Sequence, residues 1–212
     1  MRVVAIDGPA GAGKSTVARA LAARLDLDYL DTGAMYRAVT FIAMHRGVDL
    51  GDISAVGELA RNVSLDVGEN GVLVGGLDAT VEIRSSEINA AVSVVAANSE
   101  VRAEMRARQR RWAEQRGGGV IEGRDIGSVV FPEAILKLYL TASPRVRAER
   151  RVAEAGGDIG EVERSIALRD ERDSTRADSP LREADGSIVL DTSGRSVDEI
   201  LATIEELLKG AG

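Results

Sequence analysis

A glycine-rich segment carrying one lysine constrains this chain more than any other part of its sequence. Residues 8–15, the phosphate loop, read Gly-Pro-Ala-Gly-Ala-Gly-Lys-Ser. Residues 3–6 before it, Val-Val-Ala-Ile, predict a buried strand. Val17, Leu21 and Leu25 after it form one apolar stripe of a helix. A strand, a glycine turn and a helix N-terminus in this order bind phosphate, because backbone N–H groups and the positive end of the helix dipole converge there. The segment therefore predicts a site for a nucleoside triphosphate.

Two side chains at the end of the phosphate loop add specific chemistry. Lys14 is expected to place its charge beside the β- and γ-phosphates, and the Ser15 hydroxyl is expected to bind Mg²⁺. The residues expected to line the phosphates are Gly8, Pro9, Ala10, Gly11, Ala12, Gly13, Lys14, Ser15 and Thr16. The pattern predicts a nucleotide and a metal at one helix N-terminus.

The amino-acid composition restricts the class of fold and the cellular compartment that we expect for this chain. Of 212 residues, 44% are hydrophobic and only 3% aromatic, so the core must consist of small aliphatic side chains, which suits a parallel sheet covered by helices. A formal charge of −7 is unlike the basic surface of a nucleic-acid-binding protein. The chain has no cysteine and no apolar run of about 18 residues. We therefore expect a cytoplasmic monomer with no membrane or nucleic-acid partner.

Strands and helices alternate along the chain. Tyr29-Leu30 predicts a short strand, and a helix is expected over residues 34–46, with Thr32 as its N-cap. Further strands are expected at residues 120–121, 135–140 and 187–191, and further helices at 87–116, from Ser143-Pro144 onward and over 197–208. About five core strands alternating with helices predict an α/β fold, a doubly wound parallel sheet with helices on both faces.

One stretch breaks this alternation. Residues 63–81 alternate between apolar and polar side chains on both sides of a turn at 69–71, which predicts a β-hairpin. We interpret residues 62–83 as an inserted lobe, either decorative or forming the wall of a second pocket. Beyond it, the helix over 87–116 is expected to break just before Ser99, which would cap the second segment.

The fold class indicates where ligands bind. In doubly wound sheets they lie beyond the carboxyl ends of the strands. The loops that follow the strands, expected along one rim, are residues 8–15, 31–37, 122–127 and 191–193. Arg37 and Arg124 are expected to face phosphate there, the alternative being a solvated arginine.

Two arginine-bearing helices follow in the last third of the chain. One helical face of the first carries Arg147, Arg150 and Arg151, a pattern that alone is typical of a solvated surface. After Gly156-Gly157, one face of the next helix presents Arg169, Arg172, Asp173 and Arg176. Two such helices joined by a glycine hinge are typical of a lid, which would exclude water and strengthen the charge interactions inside.

The sequence lacks the motifs of several reaction classes. The chain has one histidine and no Gly-x-Ser-x-Gly segment, so a hydrolase triad is not indicated. It has no Asn-Lys-x-Asp segment for reading guanine. Phosphoryl transfer between two phosphates needs no general base, because the attacking oxygen is already ionised at neutral pH. It needs Mg²⁺, a lysine and arginines that neutralise charge, and the chain has these side chains.

Four segments together resemble the bacterial cytidylate kinases. They are residues 6–9 (Ile-Asp-Gly-Pro), 31–37 (Asp-Thr-Gly-Ala-Met-Tyr-Arg), 123–132 (Gly-Arg-Asp-Ile-Gly through Val-Phe-Pro) and 169–176 (Arg-Asp-Glu-Arg-Asp, then Arg176). The resemblance spans nearly the whole chain. It implies a P-loop kinase fold and transfer of the γ-phosphoryl group of ATP to CMP or dCMP, with Mg²⁺.

The resemblance also implies a domain organisation. One nucleoside monophosphate kinase domain would comprise a core (about 1–31, 84–145 and 177–212), a monophosphate-binding region with the insertion (about 32–83) and a lid (about 146–176).

Roles for residues outside the phosphate loop follow from the same resemblance. Thr32 and Arg37 would hold the acceptor phosphate. The cytosine edge would be read by Ser93, Arg102 and Asp125, and the sugar approached by Arg169 and Asp173. The groups implied to neutralise the transferred phosphoryl are Lys14, Arg124, Arg172 and Arg176. Uracil would meet Asp125 with a carbonyl where cytosine has an amino group, so the site would discriminate between them.

Two other functions share part of this sequence pattern. Another small P-loop kinase, such as an adenylate or shikimate kinase, would share the fold and the phosphate loop. The hairpin at 62–83 and the Gly-Arg-Asp segment at 123–125 disfavour it. A nucleotide-binding switch that hydrolyses slowly would need a guanine-reading segment or a large apolar docking surface, and the sequence indicates neither.

Overall fold

A computed structural model describes residues 1–68 and 71–210 of the chain. Two compact units divide it: Met1–Tyr29 together with the chain from Arg116 onward, and Leu30–Gln115. The strands are β1 (Arg2–Asp7), β2 (Tyr29–Asp31), β3 (Leu65–Gly68), β4 (Gly71–Val74), β5 (Leu77–Asp78), β6 (Gly118–Gly123), β7 (Leu136–Thr141) and β8 (Ile188–Asp191). The α-helices are α1 (Lys14–Leu25), α2 (Thr32–His45), α3 (Ile53–Asn62), α4 (Ser86–Ala97), α5 (Ser99–Arg116), α6 (Pro144–Ala155), α7 (Ile159–Thr175) and α8 (Val197–Gly210). Glu82–Arg84 form a 3₁₀ turn and Ile126–Val130 a π-helical turn.

A five-stranded sheet has the order β2-β6-β1-β7-β8. Its central strand β1 pairs in parallel with β6, Val4 opposite Val120, and with β7, Ile6 opposite Leu138. Strands β1 and β6 are almost wholly buried, as expected when helices cover a parallel sheet. The predicted α/β class and the five parallel strands are confirmed.

The core of the first unit joins this sheet to two helices. Leu21 of α1 and Ile204 of α8 are fully buried in one apolar cluster with side chains of β1, β6 and β7. The apolar stripe predicted for α1 is therefore the face that packs on the sheet, and this packing fixes the N-terminus of α1 beyond the carboxyl end of β1.

The second unit contains α2 to α5 and a separate antiparallel sheet of order β3-β4-β5. The predicted hairpin is confirmed as β3 and β4, with Leu65 opposite Val74. It gains a third strand, β5, that the sequence analysis did not predict, since two residues are too short to show alternation. Of the turn predicted at 69–71, residues 69 and 70 lie outside the described residues.

Two predicted helix caps are wrong by one residue. Asp31, rather than Thr32, caps α2: its Oδ1 accepts the backbone N–H of Ala34 at 2.9 Å, and Thr32 is the first helical residue. The break before Ser99 is confirmed, but the cap there is Asn98, whose Oδ1 accepts the N–H of Glu100 at 3.0 Å. In both cases the cap is a carboxylate or amide oxygen from the residue before the predicted one, and it accepts an N–H group that is unpaired at the start of the helix.

Within residues 1–68 and 71–210, no helix combines the length and the apolarity needed to cross a bilayer. The domain boundaries given above stay a prediction.

Candidate active site

The phosphate loop leaves the carboxyl end of β1 and runs into α1. Gly8 is required at its start, because an added Cβ would lie 2.0 Å from the backbone oxygen of Leu140 on the neighbouring strand β7. α1 begins at Lys14, directly after Gly13. The loop therefore ends in the first turn of a twelve-residue helix with its unpaired N–H groups, as the sequence predicted.

Lys14 is buried and its Nζ donates to the Pro9 carbonyl oxygen at 2.8 Å. The pKa of this amine is lowered from 10.5 to about 7, chiefly by burial and then by the nearby charges of Arg124 and Arg169, while Glu122 opposes these effects. An anion placed at the loop would reverse this imbalance of charge. The ammonium is thus suited to a triphosphate, whose charge would favour its protonated form.

A buried carboxylate that the sequence analysis assigned no role fixes the loop after β6. Asp7, the last residue of β1, accepts the backbone N–H of Ile126 at 2.8 Å and of Gly127 at 2.7 Å. Burial raises the pKa of Asp7 from 3.8 to about 6, although the two N–H groups lower it. These bonds hold the π-helical turn directly after Arg124 and Asp125.

Those two residues belong to a buried cluster of four charges. Arg124 Nε donates to Asp173 Oδ2 at 2.9 Å, and the guanidinium of Arg176 lies 3.6 Å from Asp125 Oδ1 and 4.0 Å from Asp173 Oδ1. Although burial opposes both charges, each partner favours the other, so the pKa of Arg124 is raised and that of Asp173 lowered. The structure thus brings Arg124, Asp125, Asp173 and Arg176 together from two segments almost 50 residues apart.

The remaining site residues predicted in this unit differ in their surroundings. Arg169 is half-buried on α7, and its charge acts on both Lys14 and Asp173. Arg172, one residue before Asp173, is exposed. The structure therefore includes Arg169 in the charged cluster and leaves Arg172 outside it.

In the second unit, the start of α2 arranges an arginine for anion binding. Arg37 NH2 donates to Asp31 Oδ2 at 3.0 Å, and Asp31 is itself fixed as the cap of α2. The Nε of Arg37 is buried and has no hydrogen-bond partner in the described part of the chain. Thr32, the residue directly after Asp31, is also buried. A buried donor without an acceptor is costly unless a ligand supplies one.

Arg102 is the largest fully buried side chain of the chain's described residues. Its guanidinium lies over the ring of Tyr36, 5.5 Å from the ring centroid, and its NH1 donates to the carbonyl of Ala96 at 3.2 Å. Ser93, one helical turn before Ala96 on α4, is half-buried. An arginine held this firmly is suited to reading a polar ligand edge, because its donors are fixed in one plane.

The donor set for a divalent cation is small. Within residues 1–68 and 71–210, no group of three or more His, Cys, Asp or Glu side chains could hold a metal ion. The Ser15 hydroxyl is exposed in the first turn of α1, and the buried carboxylate of Glu122 accepts from the Tyr29 hydroxyl at 2.5 Å. One hydroxyl with nearby phosphates and water fits Mg²⁺, which retains several waters and takes few protein ligands.

The arginines of α6 correct an expectation. Arg147 and Arg150 do not lie on a solvated face: Arg147 is 8% exposed and donates to the Ala10 carbonyl at 3.1 Å, and Arg150 NH2 donates to the Thr192 carbonyl at 2.7 Å. Arg151, by contrast, is paired with the exposed Glu154. Helical spacing identified the shared face, but it could not show that the phosphate loop packs against that face.

The chain is similar to known proteins in sequence and in fold. A family model for cytidylate kinase matches residues 4–210. The cytidylate kinase of Exiguobacterium sibiricum is 48% identical over 98% of this chain and 97% of that protein, and that of Corynebacterium efficiens is 44% identical over 99% and 95%. An uncharacterized protein from Eubacterium ventriosum, solved by crystallography, is similar in fold, with a TM-score of 0.53, 12% identity and 99% of both chains covered.

Proposed function

The chain belongs to the cytidylate kinase family and is an ATP-dependent (d)CMP kinase, and we propose that the residues described above carry out the transfer. The γ-phosphoryl group of ATP moves to CMP or dCMP, giving CDP or dCDP and ADP. An oxygen of the acceptor phosphate forms a bond to the γ-phosphorus, while the bond to the β–γ bridging oxygen breaks and its electron pair leaves with ADP. No proton needs to move, so the protein supplies position and positive charge.

The observation that carries this assignment of roles is the arrangement of charge in the first unit. Buried Lys14 at the phosphate loop is surrounded by the charges of Arg124 and Arg169, and Arg124 and Arg176 are held by Asp173 and Asp125. Buried, pre-arranged cations stabilise charge on a transferred phosphoryl group more than solvated ones do. The family resemblance adds Arg172, which is exposed, and we propose that it meets the phosphates when α6 and α7 close over them as a lid.

On the donor side, we propose that Gly8 to Thr16 hold ATP. The backbone N–H groups at the start of α1 would bind the β-phosphate, and Lys14 would exchange its bond to the Pro9 carbonyl for the phosphates. Mg²⁺ would bind at the Ser15 hydroxyl and at phosphate oxygens, and when bound it neutralises phosphate charge and orients the γ-phosphoryl group.

On the acceptor side, we propose that Thr32 and Arg37 hold the monophosphate. The Nε of Arg37 supports this role, because a phosphate oxygen would satisfy a buried donor that has no other hydrogen bond within the described chain. Asp31 keeps the guanidinium plane fixed through its 3.0 Å contact with NH2. A fixed guanidinium can donate two parallel hydrogen bonds to phosphate.

The base and sugar would be read by the remaining predicted residues. We propose that Ser93, Arg102 and Asp125 contact the cytosine edge, that Arg169 and Asp173 approach the sugar, and that Arg176 meets the phosphates. The role of Arg102 is supported by its complete burial and by its contact with the ring of Tyr36, because both fix the plane of its guanidinium donors. Asp125 would accept from the cytosine amino group and repel the uracil carbonyl. We also propose a cytoplasmic monomer without nucleic-acid partners.

The test is a screen of acceptors. ATP consumption and the phosphorylated product are measured with CMP, dCMP, UMP, AMP or shikimate present, with each acceptor omitted in turn. We expect CMP and dCMP to be the preferred acceptors and CDP or dCDP to form in equal amount to ADP. AMP or shikimate used as well as CMP would refute the proposal, and ATP loss without any acceptor would favour a slow hydrolase.

A further inference from the structure

Two side chains that have no role in the proposed catalysis or substrate binding form hydrogen bonds with the backbone of Ala10 in the phosphate loop. Asp170 Oδ1 accepts the backbone N–H of Ala10 at 3.2 Å, and Arg147 NH1 donates to the Ala10 carbonyl at 3.1 Å. The same Arg147 nitrogen donates to the other carboxylate oxygen, Oδ2 of Asp170. Both polar groups of one residue are therefore held by an ion pair between α6 and α7.

This arrangement restricts the loop more than a single contact would. The N–H of Ala10 belongs to the peptide plane shared with Pro9, and its carbonyl belongs to the plane shared with Gly11. Because the ends of both planes are held, rotation about either side of Ala10 breaks a hydrogen bond. The N–H of Gly11 lies in the second of these planes, so its orientation is fixed as well.

The ion pair is itself firmly placed. Arg147 also donates through Nε to the carbonyl of Ala142 at 3.1 Å, which anchors the guanidinium at the start of α6. The two side chains are only 10% and 18% exposed. A buried arginine is held in place by a carboxylate partner, because leaving either charge alone would be costly.

We propose that Arg147 and Asp170 are positioning residues that hold the phosphate loop in the conformation that binds the triphosphate of ATP. They act through the Ala10 peptide groups rather than on the reacting atoms. This inference rests on the proposed function only in taking ATP as the ligand of the loop. It concerns ATP affinity and not the identity of the acceptor.

The first test observes the contact directly. Hydrogen exchange of the Ala10 amide is measured by NMR on the intact protein without nucleotide. We expect Asp170→Ala to accelerate this exchange at least about tenfold, because the amide loses a charge-assisted hydrogen bond. Asp170→Asn keeps an oxygen acceptor and is expected to restore most of the protection. Glu171→Ala, the exposed neighbour, is the matched control and should leave the exchange unchanged.

The second test asks whether the contact serves ATP binding. Equilibrium binding of ATP is measured without any monophosphate, and the KM values for ATP and CMP are measured separately. We expect Asp170→Ala and Arg147→Met each to weaken ATP binding about tenfold, a loss typical of one charge-assisted hydrogen bond. The KM for CMP and the kcat at saturating ATP should change less than about threefold. The double variant should lose no more than the worse single variant, since the two residues act as one unit. Arg145→Met, an exposed arginine of α6 paired with Glu149, is the control.

Several outcomes would overturn the inference. Unchanged or tighter ATP binding in Asp170→Ala would mean that the carboxylate competes with the nucleotide or does nothing for it. Additive losses in the double variant would show separate roles. A fall of kcat as large as the loss of ATP affinity in the same variant would place the two residues at the reacting atoms. Failure to phosphorylate CMP while ATP binding responds as expected would refute the proposed function and leave this inference standing.

Discussion

A Cβ at Gly11 would lie 2.9 Å from the backbone oxygen of Arg147 and 3.0 Å from its Cβ. Gly11 also has a φ of +77°, in the left-handed region that favours glycine. The first turn of α6 therefore packs directly on the phosphate loop. The glycine at this position is required by two independent constraints, its backbone conformation and the closeness of a neighbouring helix.

Two alanine variants, Gly11→Ala and Gly47→Ala, separate the effect of backbone conformation from the effect of the close neighbour. Gly47 has a similar φ of +67° but nothing within 4 Å of an added Cβ. Gly47→Ala is therefore expected to lower the free energy of unfolding by about 1–2 kcal/mol from backbone strain alone. Gly11→Ala should cost more than this, and it alone should weaken ATP binding. Chemical unfolding and equilibrium ATP binding measure the two effects, and equal losses of stability in both variants would contradict the contact.

Arg37→Lys is expected to weaken the acceptor and spare the donor. Lysine keeps the charge but loses the planar guanidinium whose NH2 group is fixed by Asp31 and whose Nε is buried. We expect the KM for CMP to rise about 10- to 100-fold, the size of one or two charge-assisted hydrogen bonds, with the KM for ATP unchanged. Steady-state kinetics measure both constants. Arg46→Lys, an exposed position after α2, is the control. A rise in the KM for ATP alone would contradict the role.

Much of the fold followed from local sequence patterns. The strands on either side of the phosphate loop, the proline-led start of α6 and the hairpin of β3 and β4 all depend on periodicity, turn residues and caps, which neighbouring residues determine. The helix caps were shifted because Asp31 and Thr32 are both capping residues, and only the backbone shows which one precedes the helix. The strand β5 has two residues and depends on β4 for its place.

The charged surroundings of the site could not be predicted in the same way. Asp7 reads in sequence as the end of a strand, and its role depends on the N–H groups of Ile126 and Gly127, which are almost 120 residues away. The spacing of Arg147 taken alone is typical of a solvated face, because spacing along a helix does not show which residues pack against that face. Tertiary contacts between distant segments determine these roles.

Asp125→Asn is expected to relax the choice of base. The carboxylate accepts from the cytosine amino group in the proposed site, whereas an amide can also donate to the uracil carbonyl. We expect the ratio of kcat/KM for CMP over UMP to fall about 10- to 100-fold, because a mismatched buried polar pair costs about 1–3 kcal/mol. The KM for ATP should stay within about threefold. Asp185→Asn, which is exposed, serves as the control. A retained ratio together with weaker ATP binding would show that Asp125 does not read the base.

Asp7→Asn is expected to change how stability depends on pH. The folded-state pKa of about 6 lies above the usual 3.8, so the folded protein holds this proton more tightly than the unfolded chain does. The cost of the buried charge therefore appears as pH rises from about 4 to 6 and is complete above it. Relative to the unsubstituted protein, the variant should gain about 1–3 kcal/mol of unfolding free energy between pH 4.5 and 7.5. Urea unfolding across this range measures the difference, and parallel curves would contradict a buried charge at this site.

Lys14→Met is expected to remove turnover and to stabilise the protein without nucleotide. The folded-state pKa of about 7, below the usual 10.5, means that folding disfavours the ammonium. That cost is complete below pH 7 and disappears as pH rises toward 10.5. The variant should therefore be more stable than the unsubstituted protein near pH 6.5 by about 1–3 kcal/mol, after the lost bond to Pro9 is included, and should lose this advantage by pH 9.5.

The turnover of the Lys14→Met variant should fall at least about 10²- to 10³-fold, because a group that stabilises the transferred charge is missing. Unfolding at the two pH values and an ATP-consumption assay measure these effects, with the exposed Lys209→Met as the control for turnover. A variant less stable at both pH values would show that burial of Lys14 does not oppose its charge.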